Sequence, residues 1–361
     1  MKTTKLRVLV VLAAVAAASV VGVATAAPPD QAQDEHARIV EFWTHARVAQ
    51  AVPRDFVLDA NGALVPRGKP AGTPGNGPGG GGGEEDPPAD PAVVTGASWG
   101  GDNNVDATTG KVLFALGSSY YVCSASVVAD NSVVDGDSLI LTAAHCVFGS
   151  DFATNWVFIP DYDSAPAPLS SSSDAYCDDT VYGCWGATAL AAHYGFTSEG
   201  GFNLTAAEFD YGVAKVGIGG QTGDELVLDS MLAGLGLVIP TINAATLIDG
   251  DASAFGYPAA KKYKGSDLVY CAGPVGTDGN TGGATYRLLC DMTGGSSGGP
   301  WFSPFDTGAG TGTLTSVNSY GYRGGDSMYG PKFSGLTADV LAAADAATPA
   351  TPANGVVVGA P

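Results

Sequence analysis

Short apolar runs separated by glycine-rich or polar turns fill most of the chain beyond residue 92. They predict strands at Lys111–Leu116, Tyr120–Val128, Ser138–Thr142, Asn155–Ile159, Tyr211–Val216, Ala252–Phe255, Leu268–Cys271, Thr285–Asp291, Gly299–Phe302 and Leu314–Tyr320. Many short strands with regular turn signals are typical of an all-β barrel or sandwich. The clearest helical pattern in this part is Thr337–Ala347, with Thr337 as the expected N-cap.

The first 26 residues have the pattern of a secretory signal peptide. Lys2, Lys5 and Arg7 precede an apolar run from Val8 to Val23, and Ala24–Ala26 offers a small-residue cleavage site. A retained membrane anchor is the alternative, because the apolar run is near spanning length. The cleavage site favours removal, and we expect a secreted, extracellular product with no membrane contact afterwards.

Residues 27–69 form a separate region with one amphipathic helix. Apolar residues recur at helical spacing between Gln31 and Val52, and Pro53 is expected to end the helix. Such a short helix needs another part of the chain to cover its apolar face. We interpret the region as a pro-segment; a small accessory helix of the mature protein is the alternative.

A linker is predicted at residues 70–95, ahead of the main domain at 96–361. It is rich in Gly and Pro and contains five consecutive glycines, Gly79–Gly83. This composition cannot form a packed core, and exposed linkers are where proteolysis concentrates. The mature N-terminus is therefore expected between Pro88 and Ser98.

Composition limits the classes of partner. The 361 residues carry 16 Lys+Arg against 36 Asp+Glu, a formal net charge of -20. Nucleic acid is an unsuitable partner, because phosphate binding needs a basic surface. A cationic substrate or a harsh extracellular medium suits this charge better.

Two motifs carry the candidate chemistry. The run Cys290–Pro300 places two serines between glycine pairs, which suits an exposed hydroxyl on a tight turn with N–H groups aimed at one point. The run Leu139–Cys146 places His145 directly after an apolar strand. Alone, these motifs would be a surface turn and a core histidine. Together they indicate a nucleophile and its general base.

The paired motifs resemble those of the chymotrypsin-like serine peptidases. Thr142-Ala143-Ala144-His145-Cys146 and Thr293-Gly294-Gly295-Ser296-Ser297-Gly298-Gly299-Pro300 match the family's two signatures, and the serine-containing one is most similar to its bacterial, glutamyl-endopeptidase-like branch. The resemblance covers roughly residues 96 to 340. It implies two six-stranded antiparallel β-barrels with the active site in the cleft between them. The implied activity is that of a trypsin-like endopeptidase made as a zymogen, with no cofactor. The resemblance also leads us to expect a monomer that acts on proteins or peptides.

The resemblance also assigns roles to individual residues. His145 would be the base, and Ser297 rather than Ser296 would be the nucleophile. Asp210, in Asp210-Tyr211-Gly212, would orient His145, although many other acids lie between the two motifs. The N–H groups of Gly295 and Ser297 would stabilise the oxyanion. Ser296 carries no charge to pair with a new N-terminus, so removing a pro-segment would act mainly by uncovering the cleft.

The six cysteines fit a secreted domain. The resemblance implies a Cys123–Cys146 disulfide. Cys177 with Cys184 and Cys271 with Cys290 are possible further pairs, but six cysteines allow 15 pairings. A metal site is not expected, because no Cys-x-x-Cys spacing occurs and His is scarce.

Substrate-binding residues are suggested by two further segments. Ser319-Tyr320-Gly321 resembles the strand that pairs with the substrate backbone, and an ordinary edge strand is the alternative. Asp291 lies six residues before Ser297, where trypsin-like members carry an acid that selects a basic P1 residue, the residue before the scissile bond. Basic, acidic and broad or apolar P1 preferences remain open. Two other functions also remain: an inactive protease homologue acting as a binding module, and a Ser-His-Asp esterase. Esterases carry the His last in the chain, which disfavours the esterase function.

Overall fold

The computed structural model describes residues 29–59, 63–66, 93–101, 103–130, 136–162, 176–260, 262–263 and 265–360. The predicted signal peptide and nearly all of the predicted linker lie outside these residues. No helix in the described ranges is long and apolar enough to cross a membrane.

Nineteen strands and seven α-helices are described. The strands are β1 (Val52–Pro53), β2 (Phe56–Leu58), β3 (Leu64–Pro66), β4 (Val94–Ser98), β5 (Thr109–Leu116), β6 (Ser119–Val128), β7 (Ser138–Thr142), β8 (Thr154–Pro160), β9 (Trp185–His193), β10 (Gly212–Val216), β11 (Asp251–Gly256), β12 (Val269–Pro274), β13 (Gly276–Thr277), β14 (Thr285–Leu289), β15 (Pro300–Asp306), β16 (Thr311–Val317), β17 (Tyr320–Tyr322), β18 (Ser327–Pro331) and β19 (Asn354–Val358). The helices are α1 (Pro29–Phe42), α2 (His45–Val48), α3 (Asn104–Thr108), α4 (Tyr194–Thr197), α5 (Leu204–Ala207), α6 (Leu228–Gly234) and α7 (Gly335–Asp345), with short 3-10 turns at Ala144–Cys146, Tyr176–Asp179 and Gly279–Thr281.

The first half of the main domain is a closed antiparallel barrel. Its strands follow the order β6-β5-β8-β9-β10-β7, and β7 pairs again with β6 to close the ring. Full closure leaves no unpaired edge in this ring. Large side chains such as Trp156, Phe158 and Trp185 are fully buried in the associated core.

The second half is built from two sheets. One has the order β16-β15-β11-β12-β4, and the other has the order β13-β14-β18-β17-β2-β3. Strand β12 lies against β14, and β16 lies against β18, so the two sheets enclose a second core that includes Trp301 and Leu288. This arrangement fits the predicted all-β, two-barrel fold.

The region before the linker packs on both halves. Ile39 and Trp43 are fully buried, and the Trp43 indole N–H donates to the Asn155 carbonyl at 2.7 Å. Further along, β1 pairs with β6 of the first barrel, and β2 pairs with β17 of the second half. Residues 52–58 therefore cross from the first barrel to the second half.

Several predicted elements differ in extent. The predicted helix from Gln31 to Val52 ends at Phe42, because Thr44 leaves the helix and caps α2 through the Arg47 N–H. Similarly, Ser334 caps α7 in place of Thr337, whose hydroxyl accepts from the Ser334 N–H at 3.1 Å. Strand β9 was not predicted, since its alanine-rich sequence has low β-propensity, but burial on both faces stabilises it. The linker's last residues enter β4, which begins at Val94.

All six cysteines form disulfides. The pairs are Cys123–Cys146, Cys177–Cys184 and Cys271–Cys290. The expected first bridge is confirmed, and the two possible pairs are those observed. The first bridge joins β6 to the turn that carries His145, and the third joins β12 to the segment that leads towards Ser297.

Candidate active site

His145 lies at the end of a barrel strand in a fixed position. Strand β7 ends at Thr142, and His145 follows in the 3-10 turn Ala144–Cys146. The residue is fully buried, and its neighbour Cys146 is held by the disulfide to β6. The imidazole is therefore positioned by the closed barrel rather than by a mobile loop.

Asp210 holds His145 through both carboxylate oxygens. Oδ1 accepts from the His145 backbone N–H at 2.8 Å, and Oδ2 lies 2.7 Å from Nδ1. The Ser319 hydroxyl donates to Oδ2 at 2.5 Å. Asp210 is fully buried just before β10, so the contact with the ring is unscreened by solvent. Because a carboxylate only accepts, Nδ1 must carry hydrogen in this arrangement.

Ser297 lies on the loop between β14 and β15, next to the turn that carries His145. Its carbonyl accepts from the Ser124 N–H at 2.7 Å and lies 3.7 Å from Cys146 Sγ. The two serines of the loop are not equivalent. Ser296 donates its hydroxyl to the Thr293 carbonyl at 2.8 Å, so that hydroxyl is engaged inside the loop. Both serines line the cleft cavity, together with Met292, Thr293 and Ser319, so the engaged hydroxyl of Ser296 is what separates them.

Gly295 has a backbone conformation that suits glycine alone. Its φ is +101°, and a Cβ there would lie 2.7 Å from the Tyr257 carbonyl oxygen. Among the described residues, no backbone carbonyl accepts from the N–H groups of Gly295 or Ser297. Neither N–H group is taken up by a backbone carbonyl, as an oxyanion hole requires.

Ser124 and Asn318 hold the loop that carries Ser297, and neither residue was predicted from the sequence. The Ser124 hydroxyl donates to the Gly295 carbonyl at 2.8 Å and accepts from the Tyr257 N–H at 2.9 Å. The Asn318 amide donates to the Ser296 and Phe255 carbonyls, and its oxygen accepts from the Trp301 indole at 2.7 Å. Isolated Ser and Asn residues in strand-like runs give no sequence signal for this role, because their partners are distant along the chain.

The segment Ser319-Tyr320-Gly321 lines the same cavity as Ser297. Tyr320 is buried, and its hydroxyl donates to Asp278 at 2.6 Å and lies 2.9 Å from Thr285 Oγ1. Burial, with the Asp278 contact, raises the pKa of Tyr320 well above its ordinary value. The ring is therefore a neutral, fixed wall of the cleft.

Asp291 also borders the cavity, but its carboxylate is engaged elsewhere. It accepts hydrogen bonds from the Tyr263 hydroxyl and the Lys262 ammonium, and its backbone N–H donates to the Thr95 carbonyl at 2.8 Å. Burial, with the Asp291 contact, raises the pKa of Tyr263. The structure thus places Asp291 at the edge of the site, already paired with a cation.

Residues from the region before the linker complete the surroundings of His145. The Arg54 carbonyl lies 3.0 Å from His145 Nε2, and the Phe56 ring meets the imidazole edge-on, with ring centres 5.2 Å apart. Phe202, from the main domain, stacks on the imidazole with ring centres 5.3 Å apart. No motif in the sequence indicates these contacts.

Solved structures of bacterial proteases resemble this chain. Protease Anisep from Arthrobacter nicotinovorans is 30% identical with a TM-score of 0.55, and the match covers 70% of this chain and 100% of Anisep. The thermostable serine protease AL20 from an extremophilic microorganism is 32% identical with a TM-score of 0.50, covering 64% of this chain and 93% of AL20. A Glu endopeptidase in complex with MPD is 18% identical with a TM-score of 0.47, covering 70% of this chain and 97% of its own. No protein-family model and no curated protein sequence matches the chain.

Proposed function

Because this chain belongs to the chymotrypsin-like serine peptidases, we propose that it is a secreted serine endopeptidase with a His145–Asp210–Ser297 triad. The observation that carries the proposal is the buried His145–Asp210 pair beside the glycine-rich loop of Ser297. In this mechanism the mature enzyme hydrolyses peptide bonds through an acyl-enzyme.

Each residue of the triad has one role. His145 Nε2 takes the proton from Ser297 Oγ as that oxygen attacks the substrate carbonyl, and the proton then passes to the leaving amine. Asp210 keeps hydrogen on Nδ1, so Nε2 is the nitrogen that accepts the proton. Water then attacks the acyl-enzyme, and His145 takes the proton of the water and passes it to Ser297 Oγ as the acyl–oxygen bond breaks. The carboxylic acid product leaves, and Ser297 is free again.

The oxyanion of each tetrahedral intermediate is stabilised by the N–H groups of Gly295 and Ser297. Their position depends on the hydrogen bonds that Ser124 and Asn318 make to the carbonyls of the loop. Losing one such donor typically costs about 2.7–4 kcal/mol in the activation barrier. Ser124 in β6 and Asn318 between β16 and β17 thus support the loop from two sides.

The specificity pocket is proposed to take an uncharged P1 side chain. Asp291 is the acid at its border, and its carboxylate already pairs with Lys262 and Tyr263. An incoming Arg or Lys would have to displace Lys262, so Asp291 supplies little selectivity for a basic P1 residue. Apart from Asp291 and from Asp55 of the pro-segment, the residues that line the cavity are uncharged, among them Met292, Thr293 and Ser319.

The precursor is proposed to comprise the signal peptide, the pro-segment and the linker ahead of the peptidase domain. Three disulfides agree with an oxidising, extracellular location. Strand β4 pairs with β12, so a maturation cut beyond Val94 would remove part of a sheet. N-terminal sequencing of the secreted enzyme is expected to give a start between residues 88 and 94.

Substitution of the two neighbouring serines tests the function. In mature enzyme, Ser297→Ala is expected to abolish peptide hydrolysis and labelling by a serine-directed phosphonate. Ser296→Ala is the matched control and should retain both. Loss of labelling only in the Ser296 variant would overturn the nucleophile assignment. An unlabelled, inactive wild type with its cleft open would instead favour the binding-module alternative.

A further inference from the structure

The segment before the linker occupies the cleft of the proposed active site. Val52 and Pro53 pair with Tyr121 and Val122 of β6, while Phe56, Val57 and Leu58 pair with the three residues of β17. Between these two strands, Arg54 and Asp55 pass over the catalytic residues. Asp55, Phe56 and Val57 line the cavity that also holds Ser297.

Arg54 contacts His145 twice. Its carbonyl oxygen lies 3.0 Å from Nε2, and its guanidinium Nε donates to the His145 carbonyl at 2.7 Å. The guanidinium also lies over the rings of Phe56 and Tyr121, at 5.3 and 5.1 Å. Arg54 is thus held by β6, by the histidine backbone and by two aromatic faces.

The Arg54 carbonyl occupies the place next to the proposed general base. Nδ1 of His145 faces Asp210, so Nε2 is the ring nitrogen that would take the proton of Ser297. With the Arg54 oxygen 3.0 Å from Nε2, the Ser297 hydroxyl or a substrate group cannot take that place.

The same contact protects the segment from being cut. A carbonyl under attack places its oxygen at the N–H groups of Gly295 and Ser297. The Arg54 oxygen is bonded to His145 Nε2 instead. The peptide bond between Arg54 and Asp55 therefore lies beside the proposed catalytic residues, but its carbonyl oxygen is not bound in the oxyanion hole.

Side chains of the segment fill the space on both sides of Arg54. A Cβ on Gly294 would lie 2.4 Å from Asp55 Cγ, so the Asp55 carboxylate rests directly on this glycine. Phe56 is buried between His145 and Phe202, with its ring 4.7 Å from that of Phe202. Substrate cannot enter while these two side chains are in place.

Helix α1 anchors the segment at a distance from the cleft. Ile39 and Trp43 are completely buried against the first barrel, and Arg38 donates to the Asn155 side chain at 2.5 Å. Contacts of this kind do not depend on the covalent linker. The anchor and the crossing strand together form one binding unit.

From these contacts we propose that residues 29–66 have an activity of their own, as an inhibitor of the peptidase domain that keeps binding after the linker is cut. Arg54 and Phe56 are its main inhibitory contacts. This inference rests on the proposed peptidase function. Its ligand is the cleft of the mature domain, on the same molecule or on another copy.

The test uses the full chain with a recognition site for an unrelated, highly specific protease placed in the linker. After the linker is cut, hydrolysis of a peptide substrate is measured over a wide range of enzyme concentrations. Wild type is expected to be inactive when concentrated and to gain activity on dilution as the segment dissociates. Arg54→Ala and Phe56→Ala should shift the midpoint at least tenfold towards higher concentration. Arg47→Ala, which removes an arginine of the same segment outside the cleft, should leave it unchanged.

A binding readout separates this inference from the proposed function. In Ser297→Ala protein with the linker cut, the dissociation constant of the segment should rise at least tenfold with Arg54→Ala and stay the same with Arg47→Ala. Activity that does not depend on concentration, or equal dissociation constants for both arginine variants, would overturn the inhibitor proposal. Cleavage between Arg54 and Asp55 in the cut wild type would also overturn it. An inactive wild type at every dilution would count against the peptidase function, while the binding result would still decide the inhibitor proposal.

Discussion

Replacing Asp210 with Asn is the most direct test of how the buried carboxylate controls His145. Asp210 is fully buried and accepts three hydrogen bonds: from the His145 N–H, from Nδ1–H and from the Ser319 hydroxyl. Asn has almost the same volume, so the substitution changes the hydrogen bonding without leaving a cavity.

The amide cannot reproduce all three contacts. If its oxygen accepts from the His145 backbone N–H, its NH2 group faces Nδ1 and the Ser319 oxygen. Nδ1 then becomes the acceptor, and the hydrogen moves to Nε2, the nitrogen that must receive the proton of Ser297. A wrong tautomer of this kind lowers kcat about 10⁴-fold, which corresponds to about 5.4 kcal/mol in the barrier.

The assay is kcat/KM for peptide hydrolysis by mature enzyme, with active sites counted by phosphonate titration. Glu208→Gln is the matched control, because it removes a nearby carboxylate that has no described bond to His145, and it should be nearly neutral. Ser319→Ala removes one of the three hydrogen bonds and is expected to cost roughly tenfold, in line with about 1.5 kcal/mol for a bond to a charged group. A loss below tenfold for Asp210→Asn, in a protein with unchanged melting temperature, would refute the reasoning.

Three further predictions concern charge. Burial, followed by the charges of nearby acids, raises the pKa of Asp229 from 3.8 to about 7, so folding loses stability as pH rises through that range. Asp229→Asn should therefore raise the free energy of unfolding by roughly 2–4 kcal/mol at pH 8 and change it little below pH 4, as denaturant titrations at both pH values would show. Burial lowers the pKa of His36 below 6.5, so binding of the pro-segment to the peptidase domain disfavours protonation of His36. Below pH 6.5, the affinity of the wild-type pro-segment for the domain should therefore fall relative to that of the His36→Gln variant. Equal pH profiles of this affinity in the two proteins would contradict the prediction. Because Asp291 already pairs with Lys262, Asp291→Asn should alter kcat/KM for Arg, Glu and Leu P1 peptides by similar factors, whereas a selective loss with the Arg peptide would show that the carboxylate binds substrate.

The sequence alone predicted the class of fold and pointed to His145 and the Ser296–Ser297 loop, while the family resemblance chose Ser297 of the two serines. Short apolar runs with regular turns indicate strands. The His145 and Ser297 motifs can be recognised from the sequence because each is one short, continuous stretch. Asp210 could be chosen among many acids only through its resemblance to a family segment. The first disulfide also followed from that resemblance, while the other two pairs remained open among 15 pairings.

Tertiary structure decided what depends on partners far apart in the chain. Ser124 in β6 and Asn318 between β16 and β17 support the loop that carries Ser297, and Asp291 is paired with residues 28 and 29 positions away. Residues 52–58 gave no sign of their place in the cleft, because β1 and β2 are too short to have a pattern and pair with strands more than 60 residues away. Local sequence sets backbone propensity and turn geometry, but which side chain meets which carbonyl is set by the packing of the two barrels.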